Sequence, residues 1–437
     1  MKKKLLALSV ASAMLLAACG GGGGGGQQAE TPAAGAGASA PAAAESGDNV
    51  QISLMFWDGV MQEAYREIIA DFESRNPGIT MDYSVIGWGD YWTNLATGLP
   101  AGVGPDVFWL NHNNAVTYMP TGLLMDITDW NLDLSGFDSI FYQPYMRDGR
   151  LFAVPIFYDT IAMFYNKALF DEAGVPHPTR GWTWDDMRDK AFQLTVWEGN
   201  EIMQAGVGFS TTMQGGMGNF VPQNGGWFYS EDRMSLDLNN PGALGAFNFM
   251  RQLMFEDRVA LTPLEWTQLN AEDAFFLNNM MAMTIQGMWR VPPFYEALGE
   301  NLGIAHLPRQ VNEGTVFHNL GYVVAAHTEH PEEVRAFLEY ATTTYHGDLM
   351  APVFLPTHRD SQHLWLENFP TLNVSVFTEA MDYATPTPIA AVNAAATTTI
   401  LMNELERILT SGELFTSEIL EEVNSVVNAA IDEYLGN

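Results

Sequence analysis

Apolar and polar positions alternate through Ile52, Leu54 and Phe56, which predicts a strand with one buried face. The period then changes. Ala64, Tyr65, Ile68, Ile69 and Phe72 fall on one face of a helix, and Asn76-Pro77-Gly78 stops it. Alternation resumes at Ile79, Met81, Tyr83 and Val85, and Val107–Leu110 reads as a short buried strand. Strand, helix, strand in this order predicts parallel pairing and an α/β layer architecture. Farther along, Thr183 and Asp186 resemble a capping box ahead of Met187, Ala191 and Leu194. Pro241 stands where a helix begins, followed by Leu244, Phe247 and Leu253. The last 25 residues predict an amphipathic helix through Ile419, Leu420, Val423, Val427 and Ile431. No internal repeat is visible.

The N-terminal region follows a different logic. Lys2, Lys3 and Lys4 precede an apolar run, Leu5–Ala18, that is too short to span a bilayer. This is the pattern of a secretory signal at residues 1–19. Leu16-Ala17-Ala18-Cys19 looks like a bacterial lipobox, and Cys19, the only Cys in the chain, occupies the position that would be lipidated. Residues 20–48 are mostly Gly and Ala with Pro32 and Pro41, so they predict a disordered tether without a core. The expectation is an exported protein, lipid-anchored to the bacterial cell membrane and facing the periplasm or cell exterior, with its body at 49–437.

Composition narrows the function. With 19 basic and 52 acidic residues the formal net charge is −33, which excludes a phosphate-backbone binder and docking on anionic lipid through basic patches. A hydrophobic content of 47% suits a packed body of two or three domains in 437 residues. A single Cys rules out a disulfide framework. The sequence carries no phosphate loop and no nucleophile elbow around Ser210. His327 with His330, and His358 with His363, read as a solvated helix start and a loop pair rather than metal sites. Asp129, Asn131 and Asp133 begin like a calcium loop, but Leu134 and Ile140 stand at its Gly and Glu positions. No cofactor or metal and no enzymatic activity are expected.

Several blocks point one way. Pro105-Asp106-Val107-Phe108-Trp109 is followed by Gly122-Leu123-Leu124, then by Gly149-Arg150-Leu151-Phe152-Ala153-Val154-Pro155 and Tyr165-Asn166-Lys167. Phe170-Asp171-Glu172-Ala173-Gly174-Val175, Trp182-Thr183-Trp184, Ala282–Trp289 and Pro331-Glu332-Glu333 complete the series. In this order and spacing the chain resembles the extracellular solute-binding proteins of family 1, the sugar-binding components of ABC importers related to maltose-binding protein. One departure is Asn279-Met280, where the family has Gly-Lys; Asn tolerates the left-handed backbone nearly as well as Gly. The resemblance implies a two-lobed periplasmic-binding-protein-like fold (type II). Its lobes would be 49–158 plus 286–345 and 160–283 plus 350–437, with crossings near Tyr158–Ile161, Met283–Gly287 and Tyr345–Met350. It implies a monomer that captures a sugar or oligosaccharide by lobe closure and delivers it to ABC permease subunits served by a separate ATPase. The same fold could hold a polyol, glycerol phosphate, an amino-acid derivative or a metal complex. A sensor without transport and a tethered carbohydrate-active enzyme are further readings.

A sugar site needs flat aromatic platforms and planar hydrogen-bonding groups. Trp57 and Asp58 end the first strand, where open α/β sheets bind ligands. Asn111, His112 and Asn113 follow the Pro-Asp-Val strand. By resemblance, Trp289 stands where sugar-binding relatives place a stacking Trp, and Asp159, beside Tyr158, matches an acidic ligand contact in the first crossing. Asn224, Gly225 and Trp227 form a candidate contact loop, and Trp88, Arg290, Asn319 and Arg359 are further ligand-binding candidates.

Overall fold

The computed structural model describes residues 49–199, 201–268 and 273–436. The signal segment, Cys19 and the tether lie outside the described residues. The opening strand β1 (Val50–Phe56) pairs in parallel with β2 (Ile79–Val85) and β3 (Val107–Asn111). The crossover from β1 to β2 is helix α1 (Gln62–Arg75), which buries Ala64, Tyr65, Ile68, Ile69 and Phe72, the face its periodicity predicts. Helix α2 (Trp88–Gly98) and the short α3 (His112–Tyr118) follow β2 and β3, so the carboxyl ends of β1 and β3 lie at one edge of the sheet.

The central strand β4 (Ala153–Asn166) is buried along all 14 residues. It is the element that makes two lobes from one chain. Its first half pairs with β7 (Thr315–Val324), and its second half pairs with β5 (Met283–Gly287) and β6 (Leu302–Ala305), all antiparallel. The resulting curled sheet runs β6-β4-β7-β3-β1-β2, with β5 also on β4 and β8 (Ala384–Pro386) on β7. Two hydrophobic cores flank it. One gathers β1, β3, α1 and the first half of β4. The other gathers helices α4 (Trp184–Leu194), α5 (Pro241–Arg251), α6 (Ala394–Ser411) and α7 (Ser417–Leu435). Because strand side chains alternate faces, the far half of β4 serves both cores: Ala162 and Phe164 join the first, Ile161, Met163 and Tyr165 the second.

The local signals hold in detail. Thr183 Oγ1 accepts from Asp186 N (3.1 Å) while Asp186 Oδ2 accepts from Thr183 N (2.8 Å), completing the capping box. Pro241 opens α5 behind Asn240, whose side chain accepts from Ala243 N. Asn279 adopts φ +59, the left-handed backbone expected of it.

The expected third crossing differs. The resemblance places residues 350–437 in the second lobe, but Phe354, Leu355, Trp365 and Phe377 join the first core, and the second core takes up the chain only from Ala390 and Leu401. Backbone hydrogen bonds hold that segment to β4: Tyr158 N donates to Leu355 O (3.1 Å) and Thr357 N to Ile156 O (3.0 Å). The chain therefore crosses near β8 rather than near Tyr345–Met350. Among the described residues, no helix is long and apolar enough to cross a membrane.

Candidate functional site

A cavity of about 250 Å³ opens at the carboxyl ends of β1 and β3. Trp57, Asp58, Trp88 and Asn111 form one wall; Asp159, Gln214, Trp289 and His318 form the other. The first wall is stiff because its aromatics brace one another. The Trp57 ring meets Trp88, Tyr91 and Trp109 edge-on at 5.1 Å each, and Tyr91 Oη donates to Trp109 O at 2.7 Å. Trp88 is 54% exposed and meets Trp57 and Trp92 edge-on. Asp58 caps the turn after β1 by accepting from Val60 N (3.1 Å). Burial raises its carboxyl above the ordinary value, against the pull of that N–H and of the nearby Arg290 charge.

The second wall hangs on a cross-strand pair. Asp159 on β4 lies opposite His318 on β7, with 3.6 Å between Oδ1 and Nδ1. That separation is too long for a hydrogen bond. Asp159 Oδ1 has no hydrogen-bond partner, and burial raises the carboxyl above its ordinary value despite His318 and Gln214. His318 is oriented from both sides, by Gln214 Nε2 (2.9 Å from Nδ1) and by Thr387 Oγ1 (2.6 Å from Nε2). Trp289 lies in the one-turn segment after β5. A Cβ on Gly287 would fall inside its indole ring, so Gly287 is what lets the ring lie across the backbone.

Two further cavities adjoin this one. One of about 350 Å³ shares Gln214 and Trp289 and adds Trp266. The other, about 550 Å³, shares Trp88, Asn111, Gln214 and His318 and adds Trp92 and Asn113. The three form one elongated cleft with indole rings along its length. Uncharged ring-shaped solutes with C–H faces and hydroxyl edges match such a surface, the carboxylates and amides accepting and donating at the edges.

Of the residues expected in the cleft, Trp57, Asp58, Trp88, Asn111, Asp159 and Trp289 line the central cavity, and Asn113 lines its neighbour. The others are held elsewhere, each for a geometric reason. Tyr158 points to the opposite face of β4 from Asp159 and tilts against Phe141 at 4.5 Å. Asn319, next to His318 on β7, is fully buried and donates through Nδ2 to Phe141 O. His112 faces away from Asn113 on α3, and its Nδ1 accepts from Asn319 N (3.3 Å). Asn224 ends the helix Met217–Gln223 and donates to Gly242 O (2.9 Å). Gly225 makes the left-handed turn after it (φ +74), and Trp227 donates to Asp237 Oδ2 (2.7 Å). This loop packs α5 rather than a cavity. Arg290 pairs with Asp273 (3.0 Å), and Arg359 pairs with Asp138 (3.0 Å) at the surface. Trp109, Gln214, His318, Phe157, Leu320, Met288 and Phe354 complete the central cavity, and none of them is among the expected contacts. His318 could have been found from the register of β4 with β7, which no local pattern reveals. Gln214 lies in an irregular loop with no sequence signal.

Among sequence relatives, a putative binding protein of Brucella abortus is 26% identical over 287 residues, covering 62% of this chain and 67% of that protein. The galactooligosaccharide-binding protein of Bacillus subtilis is 25% identical over 248 residues, covering 55% and 57%. Among solved structures, an ABC substrate-binding protein from Listeria monocytogenes in complex with cycloalternan superposes with a TM-score of 0.78 at 23% identity, over 89% of this chain and all of that one. The GacH receptor of Streptomyces glaucescens, solved unliganded and with acarbose, gives 0.74 at 20% identity over 89% and 99%. At these identities the structures speak for the two-lobed fold. The family model described as bacterial extracellular solute-binding protein matches residues 58–344, most of the described body, and the chain belongs to that family.

Proposed function

We propose that this chain is the extracytoplasmic substrate-binding subunit of an ABC importer, that its ligand is a neutral oligosaccharide, and that it catalyses no reaction. The observation that carries this reading is the cleft itself. Indole rings from both walls, Trp57 and Trp88 against Trp289, flank Asp58, Asn111 and Asp159 at the carboxyl ends of the strands. Stacking on the rings supplies affinity, and the side-chain acceptors discriminate hydroxyl patterns. The elongation of the cleft through the cavities bearing Trp266 and Trp92 supports several sugar units rather than one. Relatives named for galactooligosaccharide, arabinooligosaccharide and lactose binding support the same ligand class.

In this reading β4, β7 and the segment around Thr387 are the hinge, ligand favours the closed arrangement of the lobes, and the closed form docks on a membrane permease. Lipidation at Cys19 would tether the body outside the cell membrane, and ATP hydrolysis would belong to a separate subunit. The test is a thermal-shift panel on the full chain with galacto-, arabino- and maltooligosaccharides, polyols and glycerol phosphate. One oligosaccharide class is expected to raise Tm saturably, by several degrees at 100 times Kd, with no turnover of the sugar on prolonged incubation. A shift confined to glycerol phosphate or polyols would overturn the sugar assignment, and release of shorter sugars would overturn the non-catalytic one.

A further inference from the structure

Helix α3 is a wall with a cavity on each side. Asn113, Asn114 and Thr117 face the cleft. His112, Val116 and Met119, on the other side of the helix, face a second cavity of about 710 Å³. This chamber shares no lining residue with the central cavity and meets the cleft's outer cavity only at Thr387 and Ile389, and its chemistry is different. Its walls are largely apolar, with Ile140, Met146, Met234 and Val392 among them, and a guanidinium enters from each core's side. Arg147 comes from the stretch between Tyr145 and Leu151 of the first core. Arg233 comes from the hairpin closed by Tyr229 and Leu236 of the second.

In a chain with 52 acidic and 19 basic residues, this lining inverts the balance. Asp148 is the one carboxylate among the residues lining the chamber, and it is shared at 3.8 Å between Arg147 and Arg150. Arg233 is solvent-exposed, and among the described residues its side chain makes no hydrogen bond or ion pair, so its guanidinium is available to a ligand in the chamber. Its backbone sits at φ +57, a conformation costly for a residue with a long side chain. Its carbonyl accepts from Ala391 N (2.8 Å), which pins the hairpin to the segment linking the two cores.

We propose that this second chamber binds a small organic anion with an apolar body, of the chemical class of a medium-chain carboxylate, its head group held between Arg233 and Arg147. Charge-assisted hydrogen bonds to two guanidiniums hold the head, and the apolar walls cover the body. A ligand spanning the two guanidiniums touches both cores, and α3 separates it from the cleft by the thickness of one helix. Occupancy of either site therefore changes affinity at the other by the same factor wherever the two ligands favour different lobe arrangements.

The probe is hexanoate, with 1-hexanol as its uncharged counterpart, titrated into the full chain carrying methyl-¹³C methionine. Met119, Met146 and Met234 line the chamber, while Met254 and Met402 line the cleft's outer cavities. Hexanoate is expected to move the first three resonances saturably and leave the other two in place, whereas hexanol moves none at the same concentration. The double substitution Arg147→Gln with Arg233→Gln is expected to weaken hexanoate binding at least tenfold while preserving the ligand-free methionine spectrum. Unmoved Met119, Met146 and Met234 resonances, an equal response to hexanol, or wild-type hexanoate affinity in the double variant would each overturn the proposal. The wild-type comparison of hexanoate with hexanol decides the matter even where the double variant fails to fold.

Discussion

The two walls of the cleft are built on different principles. The wall bearing Trp57, Asp58 and Asn111 is the end of a parallel sheet, and each residue is where its strand stops. Its rings are held by neighbours from α2 and β3, so it is stiff whether or not a ligand is present. The wall bearing Asp159, Gln214, Trp289 and His318 is assembled from a mid-strand position, an irregular loop, a single turn after β5 and a cross-strand partner. Thr387, from a further segment, completes it through His318. One wall is a property of local structure, while the other exists only while β4, β7 and the linking segments keep their register. That contrast suits a protein in which one side receives the ligand and the other closes on it.

The contrast breaks most sharply at Trp289. Trp289→Ala is expected to weaken sugar binding by about 2 kcal/mol, roughly thirtyfold, by isothermal titration. Gly287→Ala should approach the same loss with Trp289 still in the sequence, because its new Cβ evicts the ring. Equal affinity in both variants and wild type would show that ligand rests on the first wall alone.

Asp159→Asn is expected to cost roughly tenfold in affinity, since a hydrogen bond to a charged acceptor becomes a neutral one. The same substitution should stabilise the unliganded protein at pH 7. Burial raises the carboxyls of Asp159 and Asp58 above the ordinary value of 3.8. The folded chain therefore binds their protons more tightly than the unfolded chain, and their contribution to stability is present below pH 3.8 and lost as pH rises through the folded values. His112 and His346 act in the opposite sense. Burial pushes each down to about 3 from 6.5, so their contribution is present above pH 6.5 and lost as pH falls toward 3. Chemical denaturation between pH 3.5 and 7.5 should show Asp159→Asn removing part of the decline on the rising side and His346→Gln removing part of the decline on the falling side. An unchanged profile in Asp159→Asn would mean that its carboxyl is solvated.

Smaller effects test the rim. Trp88→Ala should cost about 1 kcal/mol of affinity or less, because more than half of the residue stays in solvent at the rim. Tyr158→Phe and Trp227→Ala should leave affinity within about twofold, as substitutions that touch no cleft wall do. A tenfold loss at Trp227 would bring its loop back into the site.

Much of the molecule is legible in the sequence. The period-2 and helical runs from Ile52 to Val85, the capping box at Thr183 and the left-handed Asn279 are local, because their energetics depend on residues a few positions apart. For the same reason the strand-end residues Trp57, Asp58 and Asn111 could be placed by reading where each strand stops. Tyr158 and Asn319 show the limit. Each adjoins a cleft residue, but along a strand a shift of one position moves the side chain to the opposite face, and no pattern along a wholly buried strand reveals which face meets the cavity. The path of residues 350–377 was out of reach too, because apolar runs suit either core equally and only the backbone bonds to β4 decide between them.

The sequence by itself determined the α/β elements, their caps, the acidic surface and a supply of indoles. The tertiary structure alone decided that Asp159 faces His318, that Gln214 and Thr387 converge on that imidazole, and that α3 parts an acidic, aromatic cleft from an arginine-lined chamber. The physical reason is that secondary structure is specified by neighbours along the chain. A site between two lobes is specified by the register of strands far apart in sequence, and that register carries its information in packing and hydrogen bonds rather than in any local pattern.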